Sequence, residues 1–439
     1  MAKRISVLLT ILTIISASFA LAQTEEPVDQ PAATSAFGAQ MMGGLGVVMI
    51  DGDMYYRVQL VPELSFSKIG LGLDVDLLFN NDGIRKEDWN PKSRWVRIIR
   101  YARWGHKHDR VYVRAGALDA ATLGHGSIMY RYGNQVNDAD RKIGMELDLD
   151  FGMAGFESVV SNFGRAEIYG GRAYVRPLKS TEIPILKNFE VGGTVASDLD
   201  PDQRSGTDDG VTVFGFDLGL PIINTSLLYT QLYYDFAKIK SFGSGNAVGI
   251  SADLKFPGNI LILSSKLEQR FLGPRYLPQY FDRFYEVERY QLFDTIPVWK
   301  SYMLNYLTEK RNGTYGELAA TLVGKLTILG SYQAIHKVPY SGVLHFGTDL
   351  SQLIPNNKME IRAAYDQKGI NGTKDLFTNN ENTLVTVEGG YQVYSHVMLY
   401  LTYLKTYEKT TQDDAGNTIP AYYKSVEKFS PRLAVKFNF

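Results

Sequence analysis

Six histidines are the first residues to test for chemistry. His106 and His108 stand two apart beside Asp109, a spacing at which two imidazoles can hold a metal. A metal centre needs three or four ligands, and no third His or further carboxylate follows at ligand spacing, so the pair reads as a solvated polar turn. His125 lies between Gly124 and Gly126, two residues before Ser127. A base near a hydroxyl suggests nucleophile activation, but such pairs are made by geometry rather than adjacency, and the chain has no G-x-S-x-G elbow. His336, His345 and His396 are isolated, and no phosphate loop or nucleotide fingerprint occurs. Catalysis, a metal and a cofactor are therefore not expected.

Charged residues offer a different chemistry, the electrostatic lining of a wet surface. They occupy alternate positions within short segments: Arg57, Asp74, Asp76, Arg110, Arg114, Glu146, Asp148, Asp150, Arg172, Arg176, Asp217, Asp253, Lys266, Glu268, Glu360 and Arg362. Apolar residues fill the positions between. Ile143, Met145, Leu147, Leu149 and Phe151 interleave with Gly144, Glu146, Asp148 and Asp150, and Val248, Ile250, Ala252 and Leu254 interleave with Gly249, Ser251 and Asp253. A strand points successive side chains to opposite faces, so the pattern puts charge on one face and hydrocarbon on the other. Charged rings in a water-filled lumen set ion preference. Basic residues at 110–114 and 172–176 also flank acidic ones at 146–150, so neighbouring strands can instead pair charges across a wet wall.

The elements that must hold these residues are strands. Alternation recurs from residue 41 to residue 439 in segments of about 8–10 residues, the length a tilted strand needs to cross a bilayer. About twenty strands are expected, within a range of roughly 16–22, and an even number returns the chain to its starting side. The 28 Tyr, 22 Phe and 41 Gly suit strands, tight turns and aromatic girdles. The absence of Cys excludes disulfides, thiolate metal sites and a lipid-modified Cys. With 46 basic and 47 acidic residues, nothing points to a nucleic-acid partner. A soluble sandwich also alternates, but its domains run near 100 residues. Here the connections alternate as well: Gly152 and Pro257-Gly258 mark tight turns, whereas 198–210 and 367–382 are long and polar. Short periplasmic turns and longer external loops are the rule of an all-β transmembrane antiparallel up-and-down β-barrel.

Lys3 and Arg4, an apolar run from Ile5 to Phe19 and the sequence Ala20-Leu21-Ala22 form a signal-peptide pattern, so residues 1–22 are expected to be removed. Residues 23–40, with Pro27 and Pro31, read as a flexible lead-in, and 41–439 as the barrel. Two stretches do not read as strands. Residues 119–142 hold the Gly124-His125-Gly126 run, and 273–312 hold Tyr280 to Tyr290, which suits a long external loop, a luminal plug or another strand pair. Phe281, Phe284, Tyr285 and Glu288 also share a helical face. Arg94, Arg97, Arg100 and Arg103 recur every third residue. As a plain strand this would turn Arg94, Arg100 and Trp104 inward and Arg97 and Arg103 toward lipid, unless a bulge intervenes.

At the other end Leu433, Val435, Phe437 and Phe439 share one face. This resembles the C-terminal assembly signal of outer-membrane barrels, which implies the barrel-assembly machinery as a partner. With the signal peptide and the alternation, the chain resembles porin-like bacterial outer-membrane β-barrel proteins. The run from Gly116 to Gly126 is similar to a segment of uncharacterised members and brings no activity with it. No globular plug precedes Met41, which speaks against a plugged active transporter. The resemblance implies a place in outer-membrane lipid and a passive or weakly selective diffusion channel for small polar solutes. The alternatives are a non-conducting structural or adhesive barrel and, less favoured, an outer-membrane hydrolase.

Overall fold

The computed structural model describes residues 38–438 apart from 51–52, 90–94, 96–97, 108, 136–141, 166, 203–208, 294–295, 324–325, 351–357, 379–381 and 413–417. Twenty antiparallel strands close into one barrel. They are β1 (Gly38–Ile50), β2 (Asp53–Phe66), β3 (Ile69–Leu73 continued by Val75–Asn80), β4 (Ile99–Trp104) and β5 (Val111–Gly116). Then follow β6 (Gly144–Asp150), β7 (Ala154–Val160), β8 (Ile168–Val175), β9 (Glu190–Asp198) and β10 (Val211–Asn224). The second half holds β11 (Leu228–Ile239), β12 (Ser244–Lys255), β13 (Leu261–Leu272), β14 (Arg311–Leu322) and β15 (Leu326–Ile335). The last five are β16 (Gly342–Asp349), β17 (Met359–Ile370), β18 (Thr383–Tyr394), β19 (Val397–Gln412) and β20 (Thr418–Asn438). Each pairs with its neighbour in sequence, and β1 pairs with β20 from Gln40↔Asn438 to Gly46↔Arg432, which leaves no open edge.

The start of β1 and the end of β20 lie at one rim, with the turns at 67–68, 151–153, 225–227, 256–260 and 395–396. The opposite rim carries the long connections 117–143, 199–210, 273–310 and 371–382. Apart from 176–189, which lies at the first rim, this asymmetry is the one expected of a barrel with short periplasmic turns. Alternation orients the wall: Leu60, Phe216, Leu267, Leu318 and Leu401 are exposed on the outside, while Arg172, Asp217, Glu268 and Glu360 are buried on the inside.

The arginine-rich segment corrects its plain-strand reading. Gly72 pairs with Tyr101 and Leu73 with Ile99, so Arg100 is an extra residue in a bulge. The bulge shifts the alternation. Trp104 points outward, 51% exposed, and Arg103 inward toward Gly70 and Tyr101. No described arginine of this strand meets hydrocarbon; Arg94 and Arg97 lie outside the described residues.

Four cross-strand pairs share one construction. Gly72 faces Tyr101, Gly155 faces Tyr174, Gly249 faces Tyr233 and Gly390 faces Tyr400. A Cβ on any of these glycines would lie 2.1–2.6 Å from its tyrosine ring, so each ring lies flat over bare backbone. A cation also lies near each ring: Arg114 at 4.7 Å from Tyr101, Arg172 at 4.8 Å from Tyr174, Lys266 at 5.6 Å from Tyr233 and Arg432 at 4.7 Å from Tyr400. The hydroxyls of Tyr101, Tyr233 and Tyr400 donate to Glu63, Glu268 and Glu360. Such stacks let basic side chains line the lumen in packed, paired form.

Candidate functional site

The segment after β5 turns into the lumen. Gly116 takes φ +128°, and a Cβ there would lie 2.3 Å from the Arg100 carbonyl, so only glycine makes the turn without strain. Asn134, fully buried, closes the neck of the loop: its Oδ1 accepts from the Leu118 amide at 2.9 Å and its Nδ2 donates to the Ser161 carbonyl at 2.9 Å. Between them the chain reaches strand after strand of the wall. The Gly124 amide donates to Glu157 on β7 at 2.7 Å, Ser127 donates to Asp235 on β11, Lys266 on β13 donates to the His125 carbonyl, and Tyr130 donates to Glu317 on β14 at 2.7 Å.

The segment between β13 and β14 folds in above it. It contains a helical turn (Tyr285–Glu288) and a two-stranded hairpin (Tyr290–Phe293 with Ile296–Trp299), so a short helix and a strand pair both occur here, the pair separate from the barrel sheet. Backbone bonds join the two segments, Tyr130 to the Phe281 carbonyl and Phe281 to the Ile128 carbonyl, each 3.1 Å. Tyr280, Phe281, Tyr285, Met129 and Tyr132 pack with Val159, Ile168, Val211 and Ile239, where the inner wall turns apolar toward the long-loop rim. Arg289, 3% exposed, ties this cluster down with bonds to Glu167 at 2.7 Å, Asp198 at 2.9 Å, Glu286 at 3.1 Å and the Asp200 carbonyl at 2.8 Å. Burial works to raise the Glu286 carboxyl, but Lys142 and Arg289 more than offset it and hold the group below the usual carboxylate range.

The charged residues singled out by alternation fall as follows. Asp74, Arg114, Glu146, Arg172, Asp217, Glu268 and Glu360 are buried against the inner wall. Arg57, Asp76, Asp148, Asp150, Arg176, Asp253, Lys266 and Arg362 are half-buried, and Arg110 is exposed in the turn before β5. Pairing is extensive. Arg57 grips Asp76 with two bonds of 2.7 and 2.8 Å, and Arg172 reaches Asp217, Glu157 and Glu190 together. Arg176 takes Asp150, a pair of the kind the flanking pattern suggests, whereas Arg114 bonds Asp119, and Lys107, from the turn before β5, takes Glu146 and Asp148. Leu433 and Val435 face outward; the Phe437 side chain and Phe439 lie outside the described residues.

His106 stays in its turn, its Nδ1 3.8 Å from Asp109, and His108 lies outside the described residues. The Ser127 hydroxyl donates its hydrogen bond to Asp235 rather than to His125, so these two do not form a Ser–His pair. His125, Ser127, Asp217 and Asp235 instead line a cavity of about 10 Å³, room for one water. Asp200, Asp202 and Asp209 bring carboxylate oxygens within 4.8 Å of one another in a long-rim loop, a grouping that needs the fold to be seen.

His125 stacks on Tyr233 at 4.4 Å and is surrounded by Arg172, Asp217, Asp235, Lys266 and Glu268. Burial, helped by Arg172 and Lys266 and opposed by Asp217 and Glu268, lowers its pKa to about 4. Undocked, the imidazole titrates near 6.5. A depressed folded value means that docking is fully favoured above about pH 6.5 and weakens as the pH falls toward 4. Amide protection of residues 117–135, corrected for the intrinsic exchange rate, should therefore drop across that window, and His125→Gln should flatten the drop. An unchanged profile in the parent protein would remove this coupling.

No family model and no curated protein matches the chain. Among solved structures, the outer membrane protein opdK from Pseudomonas aeruginosa aligns with 92% of this chain and 99% of its own at 9% identity and a TM-score of 0.33. OccK9 (OpdG) from the same organism aligns with 92% and 98% at 11% identity and 0.33, and CdiB from Acinetobacter baumannii with 91% and 60% at 8% and 0.27. Likenesses this remote carry nothing about solutes or site residues. The barrel assignment rests on the closed strand register.

Proposed function

We propose that this protein is an outer-membrane diffusion channel for small polar solutes, narrowed by its two inward segments. The observation that carries the reading is that these segments leave part of the inner wall wet. Arg57 and Asp76 on β2 and β3, with Arg100 and Glu63 beside them, keep contact with water, whereas a plug filling the lumen would bury them. The polar solute class follows from the lining, which presents paired charges and tyrosine hydroxyls rather than hydrocarbon. Reconstitution of the folded barrel into planar bilayers tests the reading. Stepwise conductance is the expected result; silent insertion over repeated trials would favour a structural or adhesive barrel.

Delivery to that membrane is proposed to use the cleaved signal and the barrel-assembly machinery. Changing Phe439 to Asp should lower the yield of assembled barrel while export continues. Wild-type yield would dissociate the terminal aromatic from assembly.

A further inference from the structure

We infer that the water path through this barrel favours small cations over anions, an inference that rests on the channel reading above. The luminal ion pairs are nearly balanced in number but not in placement. Glu63 is 39% exposed against 27% for Arg100, Asp119 36% against 6% for Arg114, Asp150 33% against 17% for Arg176, and Asp349 46% against 18% for Arg362. Glu157 and Glu388 likewise stand further into water than Arg172 and Arg432. These carboxylates run along the lumen, from Asp150 and Asp349 near the short-turn rim to Asp119 where the first inward segment begins.

The cause lies in the tyrosine stacks. Arg100, Arg114, Arg172, Arg176 and Arg432 lie over the rings of Tyr101, Tyr174 and Tyr400, which holds the guanidinium against the wall and leaves the carboxylate on its water side. Guanidinium is weakly hydrated and stacks readily, while carboxylate gains more from water. A pair that is neutral overall is then a dipole with its negative end toward the path. Coulomb attraction falls with distance and is screened by salt, so a passing ion senses the nearer carboxylate more than the arginine behind it. Other described pairs reverse the order. On the wall Arg176 is slightly more exposed than Glu190, and Arg362 more than Glu360 and marginally more than Glu388. Elsewhere Lys266 is covered by Tyr130, Tyr233 and Tyr315, Lys142, Arg283 and Arg289 hold the inward segments, Lys107 sits in the short-rim turn, and Arg85 and Arg165 lie in long-rim connections.

Reversal potentials across a potassium chloride gradient test this. Potassium should permeate more readily than chloride, and the triple variant Glu63→Gln, Asp150→Asn and Asp349→Asn should lower the potassium-to-chloride ratio at least twofold. Arg100→Gln, which strips one cation from behind its carboxylate, should raise it. Stepwise conductance with a chloride-favouring or zero reversal potential would overturn this inference and leave the channel intact. A triple variant that conducts with the parent ratio would equally overturn it. Absence of any conductance would overturn both.

Discussion

Arg289→Met is expected to free the second inward segment and raise single-channel conductance, with a stability loss of about 3–5 kcal/mol, the usual scale for removing one partner of a buried ion pair. Arg289 is the hub between three carboxylates on different elements: Glu167 before β8, Asp198 at the end of β9 and Glu286 in the helical turn. Without it Glu167 and Glu286 lose one of their two described cations and keep Lys142, and Asp198 loses its described cation while keeping the Tyr285 hydroxyl and the Asp200 amide. The apolar contacts of Tyr280, Phe281 and Tyr285 oppose full release, so the conductance should rise and fluctuate rather than jump to that of an empty barrel. Arg289→Lys should recover part of the effect, since an ammonium supplies charge without the planar fork. Conductance and urea midpoint both equal to the parent's would show that the aromatic cluster alone holds the segment.

Leu147→Arg should cost about 2–4 kcal/mol if the residue lies near the bilayer midplane, because its side chain leaves the outer face of β6 into hydrocarbon. The adjacent Asp148→Asn should cost far less. Asp148 points inward to Lys107 at 2.9 Å with water nearby, and an amide can still accept that bond. Asp148→Arg is a harsher change than alternation alone implies, since it would set two cations together. Unfolding in lipid vesicles compares the variants directly. Equal losses for Leu147→Arg and Asp148→Asn would mean that both faces of β6 are dry.

The barrel was legible because alternation is a local signal that a two-sided wall imposes on every strand, and the segment 143–151 shows it without exception. The arginine segment misled because its period depends on Arg100 being skipped, and a bulge leaves no mark in composition. The inward segments were visible as departures from alternation, but their direction depends on Asn134, Arg289 and Lys368 finding partners more than ten residues away. The tyrosine stacks were missed for the same reason. Composition suggests membrane girdles for tyrosine, and only the register shows that Tyr101, Tyr174, Tyr233 and Tyr400 each stand opposite a glycine.

Those glycine–tyrosine pairs bear on how the sheet selects its own shear. A slip of one residue between strands would turn every side chain to the wrong face, and hydrocarbon and water would reject it. A slip of two residues keeps the faces correct, so the inside–outside pattern alone is blind to it. Such a slip between β18 and β19 would take Tyr400 off Gly390 and set it against Glu388 or Gln392, where a Cβ occupies the space the ring needs. Each stack therefore acts as a vernier mark between adjacent strands, and four of them around the circumference would make a barrel with the wrong stagger pay in lost ring contacts at several places at once.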